Sequence, residues 1–382
     1  MEKHNEFDMV KDNRSQQKEL EFFFCTIDGI GWQTLRQLFE SFPDRTRAYE
    51  ISREQAEAAM GKKRAQLFLE KRRKADPHRE WQKMKERGIT FLSYWDCAYP
   101  ESLRRIADPP KALYILGKPP DESERRVAVI GARACSAYGK RIAQQLGEQL
   151  ANRGICVVSG MARGVDGYSQ SSAIRAGGIS YGVLGCGVDV CYPRENRELY
   201  EALIKQGAVL SEYAPGTEAR ASLFPPRNRI ISALSEMVIV VEAKVHSGTL
   251  ITVDMALEQG KEVMAVPGRV GDALSEGCNR LIVQGATPVV CVEQIFEQLG
   301  IQREEQKETD EVQAVGKGLL TDLERTVYEL LDEYPRSVEL IARELHNQRN
   351  MVDYGELCKA LFSLCLHGMA RQESNLCFVR LY

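Results

Sequence analysis

The stretch VAVIGARACSAYG, Val127 to Gly139, decides the fold. A short apolar run leads into a glycine, and beyond Ser136 the residues Ile142, Leu146 and Leu150 return at helical spacing. A strand covered on both faces reads as a nearly continuous apolar run. Three-and-four spacing behind a serine reads as an amphipathic helix with its N-cap. The stretch is therefore strand, loop, helix. Free amides and the helix dipole at such a start favour an anion, and Arg133 adds a fixed positive charge. Equally, Ser136 can simply cap the helix. The loop is not a GxGxxG fingerprint.

The same alternation extends to about Leu299. Apolar runs ICVVSG, SYGVLGCG, AVLSE, MVIVVEA, EVMAVPG and TPVV are separated by segments of helical length. Gly154, Gly177, Gly207, Gly260 and Gly285 sit where left-handed C-caps would turn each helix toward the next strand. This order predicts an α/β fold over residues 88–300, a Rossmann-like, doubly wound, mainly parallel sheet.

The flanks read differently. Residues 1–16 are a polar tail, expected to be disordered, and 17–87 are helical. Within the latter lie a helix opening at Leu20, a Gly-turn and helix from Gly29 to Phe42, and the charged run KKRAQLFLEKRRKAD. A strand is expected in Gly88 to Trp95, and the pair Pro109–Pro110 excludes a continuous helix after it. Residues 301–317 are charged and lack periodicity, which marks a linker; 318–382 carry three short helical patterns and then an alternating strand, NLCFVRLY, the order of a winged-helix domain.

Composition bounds the function. The chain has 382 residues, is 43% hydrophobic and 27% charged, and carries a net charge of −3. Any nucleic-acid site must then be a local basic patch. Eleven cysteines without CxxC pairs point to reduced thiols in a reducing cytoplasm, not to zinc or disulfides. The charged start is no signal peptide, and no apolar run reaches the roughly 18 residues of a membrane span. A cytoplasmic protein without membrane contact is expected.

In a doubly wound sheet, ligands bind beyond the carboxyl ends of the strands. Five loops there carry the candidate residues. The first holds Gly131, Arg133, Ser136, Tyr138 and Gly139. The second holds Ser159, Gly160 and Arg163, with Asp166 as a helix cap or a partner for Arg163. The third, Gly185 to Asn196, contains the rigid turn Tyr192-Pro193, where packing is favoured over base stacking for Tyr192. The fourth is Phe224-Pro-Pro-Arg227-Asn228-Arg229. Arg227 is the better ligand candidate there, and Arg229 the better partner for Glu212 or Glu242. The fifth is Ser247-Gly248-Thr249, a phosphate cup or a cap, with Lys244 and His246 close by. No nucleophile–base set surrounds His246, there is no paired-carboxylate metal motif, and no GxxxxGK[ST] occurs. No catalytic residue, metal or cofactor is expected. Gly, Ser and Arg at several strand ends suit an extended polyanion, held by charge and stacking.

Taken in order, VIGARACSAYG, SGMARGVD, GCGVDVCYPRENRELY, SEYAPGT, FPPRNRIISALS, SGTLITVDMALEQGKEVMAVPG and GCNRLIVQGA resemble the DNA-processing protein A family, also called Smf. GIGWQTLRQLF resembles its N-terminal helix-hairpin-helix or SAM-like domain. The resemblance implies a single-stranded DNA-binding recombination mediator. Such a protein protects DNA entering during natural transformation, loads the RecA recombinase, and forms a homodimer through the Rossmann-like core. It carries a positive pocket over to Arg133 and Arg163, and less directly to Arg227. Gln170 stands where the family usually has His, and Ala233 where Gly is common. Two other readings compete. A phosphoribohydrolase would need a PGGxGTxxE loop, which VPGRVGD, Val266 to Asp272, does not provide. A DNA-sensing adaptor would use the winged helix as its partner interface.

Overall fold

In a computed structural model, the apolar runs become neighbouring strands of one nine-stranded sheet. The strands are β1 (Thr90–Ser93), β2 (Ala112–Gly117), β3 (Arg126–Ile130), β4 (Cys156–Ser159), β5 (Ser180–Val183), β6 (Gly207–Ser211), β7 (Met237–Val240), β8 (Glu262–Ala265) and β9 (Thr287–Pro288). Their order is β1-β2-β6-β5-β4-β3-β7-β8-β9. From β6 to β9 every pairing is parallel, while β1–β2 and β2–β6 are antiparallel. The chain winds outward one way from β3, then returns to β7 on its other side. The switch point of this Rossmann-like sheet is therefore the gap between β3 and β7.

The structure describes residues 15–301 and 320–381, except 333, 348–351 and 375. The expected tail and linker lie almost wholly outside these residues; 15 and 16 already belong to a helix, α1, that runs through residue 25. Contacts divide the chain into two units, Met1–Ile301 and Gln302–Tyr382.

The remaining helices of the first unit are α2 (Trp32–Ser41), α3 (Arg45–Glu50), α4 (Arg53–Met60), α5 (Lys62–Lys74), α6 (Pro77–Glu86), α7 (Glu101–Arg104), α8 (Ala137–Asn152), α9 (Val165–Arg175), α10 (Arg197–Gln206), α11 (Phe224–Ala233), α12 (Gly248–Glu258), α13 (Glu276–Val283) and α14 (Glu293–Gln298). Every residue of β3, β4, β5 and β7 is buried. Alternation splits them between two layers. Val127 and Val129 pack with Leu146 and Leu150 of α8, whereas Ala128 and Ile130 pack with Ile231 of α11 and Val253 of α12. Burying such a side chain contributes roughly 1.5–3 kcal/mol, which fixes the register of each strand.

The helices before β1 share one core with the sheet edge. Phe22, Phe24, Phe68 and Trp81 form a cluster with Phe91, Tyr114 and Tyr200. Packing thus runs straight across positions 87 and 88.

Four of the five expected glycine caps have positive φ: Gly154 (+69°), Gly177 (+81°), Gly260 (+67°) and Gly285 (+108°). Gly207 does not. Its backbone is extended, with φ of 175°, and it opens β6 directly. A Cβ there would lie 2.1 Å from the Ser180 carbonyl oxygen. Close approach of β5, rather than a left-handed turn, requires this glycine.

The second unit has helices Asp322–Leu330, Val338–Asn347 and Tyr354–Leu366 around Val327, Ile341, Leu361 and Phe378. Strands β10 (Arg336–Ser337), β11 (Ala370–Ser374) and β12 (Cys377–Arg380) form an antiparallel sheet in the order β10-β12-β11. The sequence reading had only the closing strand. Gly368, at φ +71°, ends the preceding helix and lets Ala370–Ser374 fold back as its hairpin partner.

Candidate nucleic-acid interface

The loops after β3 and β7 face each other across a cleft of about 620 Å³ at the switch point. Gly131, Arg133, Phe224, Arg227, Asn228, Ser247, Gly248 and Thr249, all candidates from the sequence, line it. Two smaller hollows adjoin through Arg133, which lines all three; Arg163 lines both of these and Gly160 one. The charged residues of the main cleft are Arg133, Arg227, Lys244 and Asp166. Among the described residues no glutamate lines it.

Each element presents its residue for a local reason. Gly131 follows the buried end of β3, and a Cβ there would lie 2.7 Å from Val165, so only glycine lets the loop cross α9. Arg133 then stands exposed, makes no ion pair among the described residues, and lies 5.5 Å from the centre of the Phe224 ring. Phe224 starts α11 and stacks on Tyr192, with ring centres 5.4 Å apart and planes at 29°. Gly185 makes room for that ring, since a Cβ there would lie 2.6 Å from Phe224. Tyr192, favoured as a packing residue, does pack on Phe224 and is still 44% exposed. Together the two rings form a platform with an arginine beside it.

The fifth loop does not cap its helix through a side chain. Ser247 takes the extended N-cap conformation of α12, yet its side chain makes no cap bond. Its Oγ is shielded from water and has no hydrogen-bond partner within the protein. An unpaired buried hydroxyl costs on the order of 1–3 kcal/mol, which a ligand oxygen would relieve. Gly248 and Thr249 follow it into the same cleft, which Lys244 of the same loop also lines.

Other candidates are turned inward, and these are corrections. The start of α8 is already occupied. Ser136 donates to the buried Glu242 carboxylate through its backbone N at 2.8 Å and its Oγ at 2.5 Å, and accepts from Gly139 N at 3.0 Å. A Cβ on Gly139 would lie 2.3 Å from Glu242. Ser136 and Gly139 thus seat the chain's own carboxylate, and that helix start is closed to a phosphate. Ser159 is wholly buried and donates to the Val129 carbonyl at 2.7 Å. Tyr138 donates to the Pro267 carbonyl at 3.3 Å, away from the cleft.

Arginine roles also shift. Arg163 does not pair with Asp166; it is exposed and bridges Glu195, Nε at 3.0 Å. Asp166 accepts from Gly160 N at 3.1 Å. Burial pushes its pKa up, against the pull of Arg227. Arg227 is 4% exposed, donates to the Val183 carbonyl, and leaves Nε without a partner. Burial pushes its pKa down to about 10, so it stays charged at neutral pH. A Cβ on Gly160 would lie 2.5 Å from its guanidinium, so Gly160 is the hole this arginine fills. Arg229 pairs with Glu212 at 2.7 Å, the structural role expected of it. Gln170 is fully buried, accepting from Met161 N at 3.0 Å and donating to the Tyr181 carbonyl at 3.0 Å. It ties β5 to the second loop and does not face the cleft.

Residues 90–300, carrying the sheet and all five loops, match the family described as DNA recombination-mediator protein A. The chain belongs to that family. It is 43% identical over 216 residues to the DNA processing protein DprA of Bacillus subtilis, covering 56% of this chain and 73% of that one. The X-ray structure of DNA processing protein A from Streptococcus pneumoniae superposes with a TM-score of 0.65 at 33% identity, over 73% of this chain and 97% of that one. A Helicobacter pylori DNA processing protein A, whose structure was described for its single-stranded DNA binding mode, gives a TM-score of 0.50 at 29% identity, over 55% and 95%. Like them, this chain is a DNA-processing protein with a mainly parallel, Rossmann-like sheet. Among the described residues no helix is long and apolar enough to cross a membrane, and no group of His, Cys, Asp or Glu is placed to hold a metal.

Sequence reasoning set Lys244 and Tyr192 aside, although both are in the cleft. The usable signal was position, since each lies just beyond a strand's carboxyl end.

Proposed function

We propose that the chain binds single-stranded DNA in the switch-point cleft and acts there as a recombination mediator. The observation that carries this is the stack of exposed Tyr192 on half-buried Phe224, with Arg133 beside it. Aromatic faces accept bases of any sequence, and unpaired cations hold the phosphates. Ser247, Gly248, Thr249 and Lys244 supply a second phosphate contact across the cleft.

On this reading the protein works in the cytoplasm, shelters DNA that enters during natural transformation, loads the RecA recombinase onto it, and pairs as a homodimer through the Rossmann-like core. The helices before the sheet act as a helix-hairpin-helix or SAM-like module. The second unit, three helices with an antiparallel hairpin, is read as a winged helix. The test is RecA-driven strand exchange on SSB-coated single strands. Addition of the protein is expected to raise the yield, and no increase from a protein that binds the strands would sink the loading role.

A further inference from the structure

Helices α5 and α6 carry charge that neither the core nor the cleft uses. Between Lys62 and Arg87 there are 11 Lys and Arg against four Asp and Glu, in a chain of net charge −3. Some of these turn inward. Arg72 donates to the Ile51 carbonyl at 3.0 Å, and Lys71 pairs with Glu80 at 3.1 Å. The rest are free. Arg79, Lys83 and Lys85 on α6, and Lys62, Lys63, Arg73 and Lys74 on α5, are exposed and make no ion pair among the described residues. On other helices several exposed arginines are neutralised one turn away, as in Arg36–Glu40, Arg53–Glu57, Arg197–Glu201 and Arg280–Glu276. An ordinary solvated helix face intersperses its signs in that way. These two helices keep a net positive field.

Their position gives the field a use. A groove of about 280 Å³ runs between Lys71, Glu80, Lys83 and Arg87 on the helical side and Ala214 and Pro215 on the other; Lys71 and Arg87 are paired there with Glu80 and Asp189, and Lys83 makes no ion pair among the described residues. Ala214 and Pro215 follow the carboxyl end of β6, so the groove opens at the same end of the sheet as the cleft. Asp189 joins the two regions. It pairs with Arg87 at 2.7 Å and accepts from Gly216 N at 2.7 Å. Tyr192, half of the aromatic platform, is three residues further along that loop, at most ~11 Å away along the chain.

We propose that a single strand seated in the cleft continues past Tyr192 onto this basic surface, making α5 and α6 a second, sequence-independent phosphate contact. The proposal rests on the single-strand reading of the cleft and extends its footprint. A local basic surface of this kind lets a mildly acidic chain hold a long polyanion.

The experiment compares oligo(dT) of two lengths on the full chain, by fluorescence anisotropy across a salt series. One oligonucleotide is just long enough to fill the cleft and the other several times longer. The variant is Arg79→Gln, Lys83→Gln, Lys85→Gln; its charges are exposed, and an unchanged melting curve confirms the fold. For the long strand, at least tenfold weaker binding is expected, with the salt slope smaller by about 2, from ~0.7 per lost phosphate contact. For the short strand no change is expected. Equal losses on both lengths, or no loss on either, overturn the proposal. A wild-type chain that binds neither length overturns the cleft reading and this extension together. A wild type that binds the short strand as tightly as the long one overturns the extension alone. The reversed charges Lys83→Glu, Lys85→Glu are expected to deepen the long-strand loss, and a failure to do so also counts against it.

Discussion

Glu242 accepts two hydrogen bonds from Ser136, at 2.8 Å from the backbone N and 2.5 Å from Oγ, across 106 positions of sequence. Helix α8 therefore begins on a carboxylate belonging to β7's own loop. This bond closes the start of α8 to a ligand, while the start of α12 opens into the cleft at the switch point.

Replacing Glu242 with Ala is expected to destabilise the first unit by about 2–4 kcal/mol, because it strands a buried N–H and hydroxyl. Glu242→Gln, which retains the acceptor oxygen, is expected to lose less. Urea unfolding measures both. A loss below about 0.5 kcal/mol for the alanine variant would show that Ser136 finds other partners.

Arg133→Ala is expected to weaken single-strand binding and to lower the salt slope by about 0.7 for each phosphate it releases. Arg163→Ala is expected to do less, since Arg163 already bridges Glu195. Anisotropy titrations over a range of salt rank the two. An Arg163 effect larger than that of Arg133 contradicts the placement of the strand.

Tyr192→Ala is expected to cost about 1–3 kcal/mol of binding, the usual worth of one base stacked on a ring. Stability should change little, because Tyr192 is 44% exposed. A melting curve and a binding isotherm on the same sample separate the two effects. Unchanged affinity would exclude the platform.

Thiol chemistry should divide by burial. Burial pushes Cys25, Cys156 and Cys278 up to about 12, and Cys186 up to about 11. Cys97 and Cys291 are exposed. Maleimide at neutral pH is expected to label the exposed pair in the native protein and the buried four only after unfolding. The sign of the pH effect follows. Unfolded thiols ionise near their ordinary value of 9.0 while the buried ones stay neutral, so stability is full below that pH and falls as pH rises from 9 toward 12. Thermal melts from pH 8 to 11 check it; a flat profile contradicts the burial.

The sequence by itself determined the strands and helices of the sheet, because those signals are local. Strands buried on both faces need unbroken apolar runs, as in Val127 to Ile130, and helices announce themselves through Ser136-type caps and glycines such as Gly154 with positive φ. It also determined that Arg133, Phe224 and Ser247 lie at strand ends. Tertiary structure alone decided which ends meet. Strand order sets β3 beside β7, so Gly131 and Ser247 share a cleft while Ser159, one strand over, is sealed against Val129. The same order brought Glu242 to Ser136, Glu195 to Arg163 and Phe224 to Tyr192. Each of these pairings joins residues far apart in sequence, and no periodicity encodes them. The partner of a charge, and hence its freedom to hold a phosphate, exists only once the sheet has assembled.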